Sequence, residues 1–98
     1  MALFLVELQQ SGSQFDPARP LEEQSGWTEH ADFMDGLVED GFILLGGPVA
    51  GGPRVVHVVE ADSEEQIRAR LAEDPWSETH LRVASIEPWT IRLDGLRK

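Results

Sequence analysis

FILLGGPVAGGPRVVHVVEA, residues 42–61, decides the fold of this chain. Phe42 to Leu45 is a short apolar strand and Arg54 to Ala61 a second one. The run between them, Gly46-Gly47-Pro48-Val49-Ala50-Gly51-Gly52-Pro53, reads as a hairpin with a flexible tip. Both faces of the second strand are apolar, with Val55 and Val59 on one and Val56 and Val58 on the other.

Upstream of the hairpin, large apolar side chains recur at Trp27, Phe33, Met34, Leu37 and Val38, with Glu29, Asp32, Asp35, Glu39 and Asp40 opposite. That spacing predicts a helix from about Ser25 or Gly26 to Gly41, a good residue to follow a helix end. Ala2 to Leu8 is rich in strand formers and ends in the turn-prone Gln10-Ser11-Gly12-Ser13. A polar connection from Gln14 to Ser25, broken by Pro17 and Pro20, is long for a compact domain and marks a functional or mobile loop. Downstream, Asp62-Ser63-Glu64-Glu65-Gln66 opens a second helix, with capping-box spacing between Ser63 and Gln66 and an apolar stripe at Ile67 and Leu71. Asp74-Pro75 ends it, because the residue before a proline avoids helical angles. Leu81 to Leu93 reads as the last strand, with Trp89, Ile91 and Leu93 alternating against Thr90 and Arg92 and Pro88 marking a bend or edge.

The resulting order, β-α-β-β-α-β, predicts an α+β ferredoxin-like domain over residues 1–98: a four-stranded antiparallel sheet with two helices on one face. Two helices cover one face only. The other, carrying Val56 and Val58, needs a partner, and a second copy is the simplest, so a homodimer with sheets packed face to face is expected.

Composition narrows the function. At 98 residues the chain buries roughly 60–65% of its unfolded surface, enough for one modest core. A hydrophobic fraction of 41% beside 27% charged residues describes a globular chain, not a disordered one. Cysteine is absent, which removes disulfides, thiolate nucleophiles and cysteine metal sites. Eighteen acidic against eight basic residues leave a net charge of −10, a surface that repels phosphate backbones and anionic membranes, so neither nucleic acid nor membrane is an expected partner. Met1 to Leu8 lacks the basic region and length of a signal peptide, and no run is long enough to span a bilayer, so a cytoplasmic protein is the economical expectation.

Chemistry-bearing residues are few. His30 lies three residues after Trp27 and three and four before Phe33 and Met34, which aims a titratable ring at the interior or a cleft. Its plainer reading is a core histidine satisfied by one carbonyl or a water. His57, between Val56 and Val58, reads as structural, and His80, at the mouth of the final strand, as facing solvent. The three show no metal-ligand spacing, so no metal is expected. Asp74 before Pro75 is an N-cap of a short turn over Pro75 to Thr79, or a carboxylate that points at an imidazole; the residues leave both open. A phosphate loop would place a helix after the Gly-Gly-Pro repeat, whereas a valine-rich strand follows, so a tight hairpin or close backbone approach to a ligand fits better. Trp27, Trp76 and Trp89 suit a core or an interface, yet Trp27 and Trp76 neighbour His30 and Asp74 and can wall a shared pocket. Ser11, Ser13, Ser25 and Ser63 lack a nucleophile-elbow context, which argues against a Ser-His-Asp hydrolase.

Several of these pieces, in order, resemble the YCII-related family: Trp27-Thr28-Glu29-His30-Ala31-Asp32-Phe33-Met34, Leu37 to Phe42, Leu45-Gly46-Gly47-Pro48, Ala61-Asp62-Ser63, Asp74-Pro75-Trp76 and Ile86-Glu87-Pro88-Trp89. The resemblance implies a ferredoxin-like fold that forms a dimeric α/β barrel, and an active site pairing the first-helix histidine, His30, with the aspartate of the Asp-Pro motif, Asp74. A few relatives look like lyases that eliminate halide from chlorinated hydroxylated aromatics. On that basis the chain is expected to be an enzyme without a cofactor, a lyase or isomerase for a small, aromatic or lactone-like molecule. His30 would be the general acid/base and Asp74 its orienter, in a cleft lined by Trp27, Met34, Gly46, Gly47, Pro48 and Trp76, with the Gly47 N–H polarising an oxygen. The other expectation is a dimeric module that holds a small ligand or serves a partner without catalysis, since this fold hosts many unrelated tasks.

Overall fold

The computed structural model describes residues 2–96; Met1, Arg97 and Lys98 of the expected domain lie outside the described residues. In chain order the elements are β1 (Ala2–Gln10), α1 (Trp27–Glu39), β2 (Ile43–Pro48), β3 (Arg54–Ala61), α2 (Glu64–Leu71) and β4 (Leu81–Pro88), with one turn of 3-10 helix at Leu21–Glu23 in the long connection before α1. The sheet order is β2-β3-β1-β4 and every neighbouring pair is antiparallel. Each βαβ unit is therefore split by an intervening strand, which is the ferredoxin-like α+β topology.

Register shows where the core sits. Phe4 pairs with Val59, Val6 with His57 and Leu8 with Val55, so these side chains share one sheet face. All six are buried, and Leu37 of α1 with Ile67 and Leu71 of α2 join them in one core. Both helices thus cover the same face. Completely buried Val6, Val59 and Ile67 each contribute about 1.5–3 kcal/mol by leaving water. The opposite face is thinly covered: Val58, Leu44, Leu45 and Trp89 line an apolar hollow there, with Leu45 and Trp89 exposed.

Local chemistry explains the element ends. Ser63 accepts a hydrogen bond from the Gln66 backbone N–H (3.2 Å), and the Gln66 side chain reaches back to the N–H of Asp62 (2.7 Å), one residue earlier than a strict capping box. Gly26 precedes α1 with a left-handed φ of 73°. The hairpin tip is shorter than the glycine-proline run implies. Gly46, Gly47 and Pro48 are paired within β2, opposite His57, Val56 and Val55, and only Val49 to Gly52 make the turn. Its central residues, Ala50 and Gly51, both have left-handed φ, the sense that suits the twist of a tight hairpin.

Other boundaries depart from the expected ones as well: β1 runs through Gln10, expected in a turn, because Gln10 pairs with Leu81. The helical span of α2 stops at Leu71 rather than Asp74, because the chain tightens into i→i+3 bonds from Glu73 to Arg70 and from Asp74 to Leu71. β4 stops at Pro88 rather than Leu93. Pro88 has no N–H to continue the ladder opposite Phe4; the Trp89 N–H still bonds the Leu3 carbonyl (2.9 Å), but the alternation of Trp89, Ile91 and Leu93 forms no strand.

Candidate active site

His30 sits one turn into α1, its backbone N–H bonded to the Gly26 carbonyl (3.0 Å), and its ring points inward. Asp74 follows the tightened end of α2. The His30 Nδ1 lies 2.9 and 2.8 Å from the two carboxylate oxygens of Asp74, and both residues are buried. A carboxylate accepts only, so Nδ1 carries the hydrogen and the neutral ring keeps its lone pair on Nε2. Asp74 performs both roles that its sequence leaves open, since Oδ1 also accepts the backbone N–H of Trp76 (2.9 Å) at the start of the following turn. That local bond helps hold the carboxylate in place beside the imidazole.

Trp76 lies under the histidine. Its indole stacks on the His30 ring at 4.0 Å and 7°, and on the His80 ring at 4.5 Å and 18°. Two rings cannot both lie that close and that parallel on one side of an indole without colliding, so Trp76 is sandwiched between the imidazoles. Its Nε1–H donates to the Ser25 carbonyl (2.8 Å), and Trp27 tilts against both His30 and Trp76 with centroids 5.8 Å away. His80 does not face solvent as its place in the sequence predicts. It is buried, with Nε2 3.1 Å from Ser25 Oγ and Nδ1 2.7 Å from Thr79 Oγ1. Desolvation, with a smaller push from His30 opposed by Asp74, holds its pKa below the ordinary 6.5.

On its other side His30 lines a cavity of about 280 Å³ between α1 and the β2–β3 hairpin. Trp27, Met34, Gly46, Gly47 and Pro48 line it too, with Leu21, Ile43 and Leu81 adding apolar wall. Trp76 and Asp74 do not. Trp76 is fully buried behind the histidine and Asp74 borders a different hollow, so the indole supports the ring rather than walling the pocket. The His30 Nε2 has no hydrogen-bond partner among the described residues.

The residue whose sequence reading gives least warning is His57. It lines the same cavity from the sheet side, is buried, and neither ring nitrogen has a hydrogen-bond partner among the described residues. Burial, reinforced by His30 and opposed by Asp74, lowers its pKa from 6.5 to about 4, so the ring is neutral at neutral pH. Its strand alternation is the available signal: position 57 shares a face with Val55 and Val59, turned toward the helices. Among the described residues no group of three or more His, Asp or Glu side chains is placed to hold a metal ion, and no helix is long and apolar enough to cross a membrane. The sequence matches no family model, and no curated protein is significantly similar to it.

Proposed function

We propose that this protein is an acid/base enzyme of lyase or isomerase type for a small, largely apolar molecule, working without a cofactor. One observation carries the reading: both oxygens of a buried carboxylate hold His30 Nδ1, while the same ring lines a cavity. That arrangement fixes the tautomer whose Nε2 accepts a proton, and it balances the imidazolium once the proton arrives. In this reading His30 takes a proton from the substrate and returns it at another position or to a leaving group, while Asp74 orients the ring without itself changing state. Among the described residues no lysine or arginine lines the cavity, and Asp35 stands at it, so an uncharged substrate about the size of one ring is favoured over a carboxylate or phosphate. The resemblance of the ordered motifs to the YCII-related family supports the same pairing, and with it membership of that family. A homodimer, joined through the thinly covered sheet face around Leu45 and Trp89, is part of the proposal, and sedimentation of the protein at micromolar concentration tests it.

The test of the chemistry is a panel of ring-sized hydroxylated and carbonyl compounds assayed with wild type, His30→Asn and Asp74→Asn. Loss of a general acid/base lowers turnover by about 10²–10⁴-fold. The reading stands if His30→Asn retains ligand binding and loses turnover to that degree, with a smaller loss for Asp74→Asn. Binding without turnover by the wild-type protein would instead mark a ligand-holding module.

A further inference from the structure

His57 presents a puzzle that packing does not solve. Buried polar groups nearly always have hydrogen-bond partners, and a valine or leucine would fill this strand position without an unpaired group. The sequence instead places an imidazole there and removes the side chain opposite. Gly46 is its cross-strand partner, and a Cβ at 46 would collide with His57 Nδ1. Of the atoms that a Cβ would meet, Nδ1 is nearest and its ring neighbours Cε1 and Cγ follow at 2.7 and 3.1 Å, so the Nδ1 corner of the ring is turned onto Gly46. Nε2 lies on the edge turned away from Gly46; it too is buried and without a partner among the described residues, so the unused bonding capacity toward a ligand is on that edge.

We propose that His57 is a substrate-binding residue of this cavity: a neutral imidazole whose Nε2–H donates to a ligand oxygen on which negative charge develops, with Gly46 as the residue that makes room for it. The inference rests on His30 as the acid/base. When His30 Nε2 accepts a proton from the substrate, the electron pair left behind moves onto that oxygen, and the His57 hydrogen bond strengthens as charge accumulates. His57 loses no proton in the step. Its lowered pKa suits the role, because a ring that stays neutral donates to an oxyanion without competing with His30 as a base. The ligand class that follows is an uncharged, ring-sized molecule bearing an ionisable hydroxyl or an enolisable carbonyl.

The experiment uses 4-nitrophenol, whose ionised form absorbs visible light, and nitrobenzene, which has the same ring without the oxygen donor. Both are titrated into wild type, His57→Leu and His30→Asn, with imidazole ¹⁵N spectra recorded in parallel. The expected result is that 4-nitrophenol moves the His57 Nε2 signal and that His57→Leu weakens its binding by about tenfold, with nitrobenzene binding unchanged. His57→Leu should also raise the unfolding midpoint, by roughly 4–8 °C, since it removes an unpaired buried group. Equal affinity of His57→Leu and wild type for 4-nitrophenol overturns the proposal. So does an equal loss for both ligands accompanied by a lower midpoint, which would make His57 a packing residue. No movement of either histidine at millimolar 4-nitrophenol overturns it as well. Failure of the His30 reading looks different: His30→Asn would leave the ionised fraction of the bound probe unchanged while the His57 effect persists.

Discussion

The helix side and the sheet side of one cavity treat the same residue type in opposite ways. His30 and His57 are equally buried, each 6% exposed. The first is held by both oxygens of Asp74 and by an indole stacked at 4.0 Å, and the second by packing against Gly46 with no hydrogen bond. Burial alone therefore does not say what a histidine is for. The partnered ring has one defined tautomer and a fixed plane, which a proton-transfer group requires. An unpartnered ring keeps its bonding capacity for something that enters the cavity, at a cost to stability that only a ligand relieves.

The strongest way to break the contrast is to remove the support on the helix side. Trp76 is fully buried, stacks on two histidines and ties Ser25 to the turn after α2. Trp76→Ala should cost about 3–5 kcal/mol, a large share of the stability of a small domain, as measured by denaturant unfolding. Trp76→Phe keeps a stacking ring but lacks the N–H that reaches Ser25, so it should lose less. If Trp76→Ala left the ¹⁵N signature of the His30 Nδ1–H bond unchanged, the indole would be filler rather than a support.

How much of this was legible beforehand follows a physical line. Glycine and proline punctuate the chain, and apolar spacing within the punctuated segments yields the β-α-β-β-α-β order without further help. His30 on an apolar helical face was equally visible, because that is a local property. Beyond reach were features set by partners distant in sequence. His80 is buried because it meets Ser25, 55 residues away, and Trp76 lies behind the cavity because its indole is taken up by two imidazoles. β4 stops at Pro88 although the alternation of Trp89, Ile91 and Leu93 reads as strand, because pairing with a neighbour, not alternation, decides where a strand ends. His57 is an intermediate case. Its alternation with Val55 and Val59 is a local pattern, but whether its ring nitrogens find partners depends on residues distant in sequence.

The sheet side has its own signature, in pH. His57 titrates near 4 in the folded protein and near 6.5 when unfolded, so between those values the unfolded chain binds more protons and folding stability rises with pH. As pH falls from 6.5 to about 4 the His57 contribution should cost roughly 3 kcal/mol, with His80 adding in the same direction. Carboxylates titrate over the lower part of that range, so the informative measurement is the difference between wild type and His57→Leu. Unfolding free energies at pH 7, 6, 5 and 4.5 should fall less steeply for the variant. Parallel curves would mean that His57 is solvated or paired in solution, and the contrast with His30 would be lost.

A smaller effect sharpens the comparison at the point where glycine and imidazole meet. Gly46→Ala puts a methyl group against His57 Nδ1, a contact that the ring can relieve only by moving. Overpacking of this kind costs about 1–3 kcal/mol. The same substitution in a His57→Ala background has no ring to displace, so its cost should vanish and give way to the gain of about 0.4–1 kcal/mol expected when alanine replaces a strand glycine. The difference between the two effects, read from a double-mutant cycle, isolates the Gly46–His57 contact from everything else either residue does. A coupling near zero would place the His57 ring elsewhere in solution and leave Gly46 as an ordinary strand glycine. A coupling of the expected size would show that the glycine and the histidine form one device on the sheet side, as Asp74 and Trp76 do for His30 on the helix side.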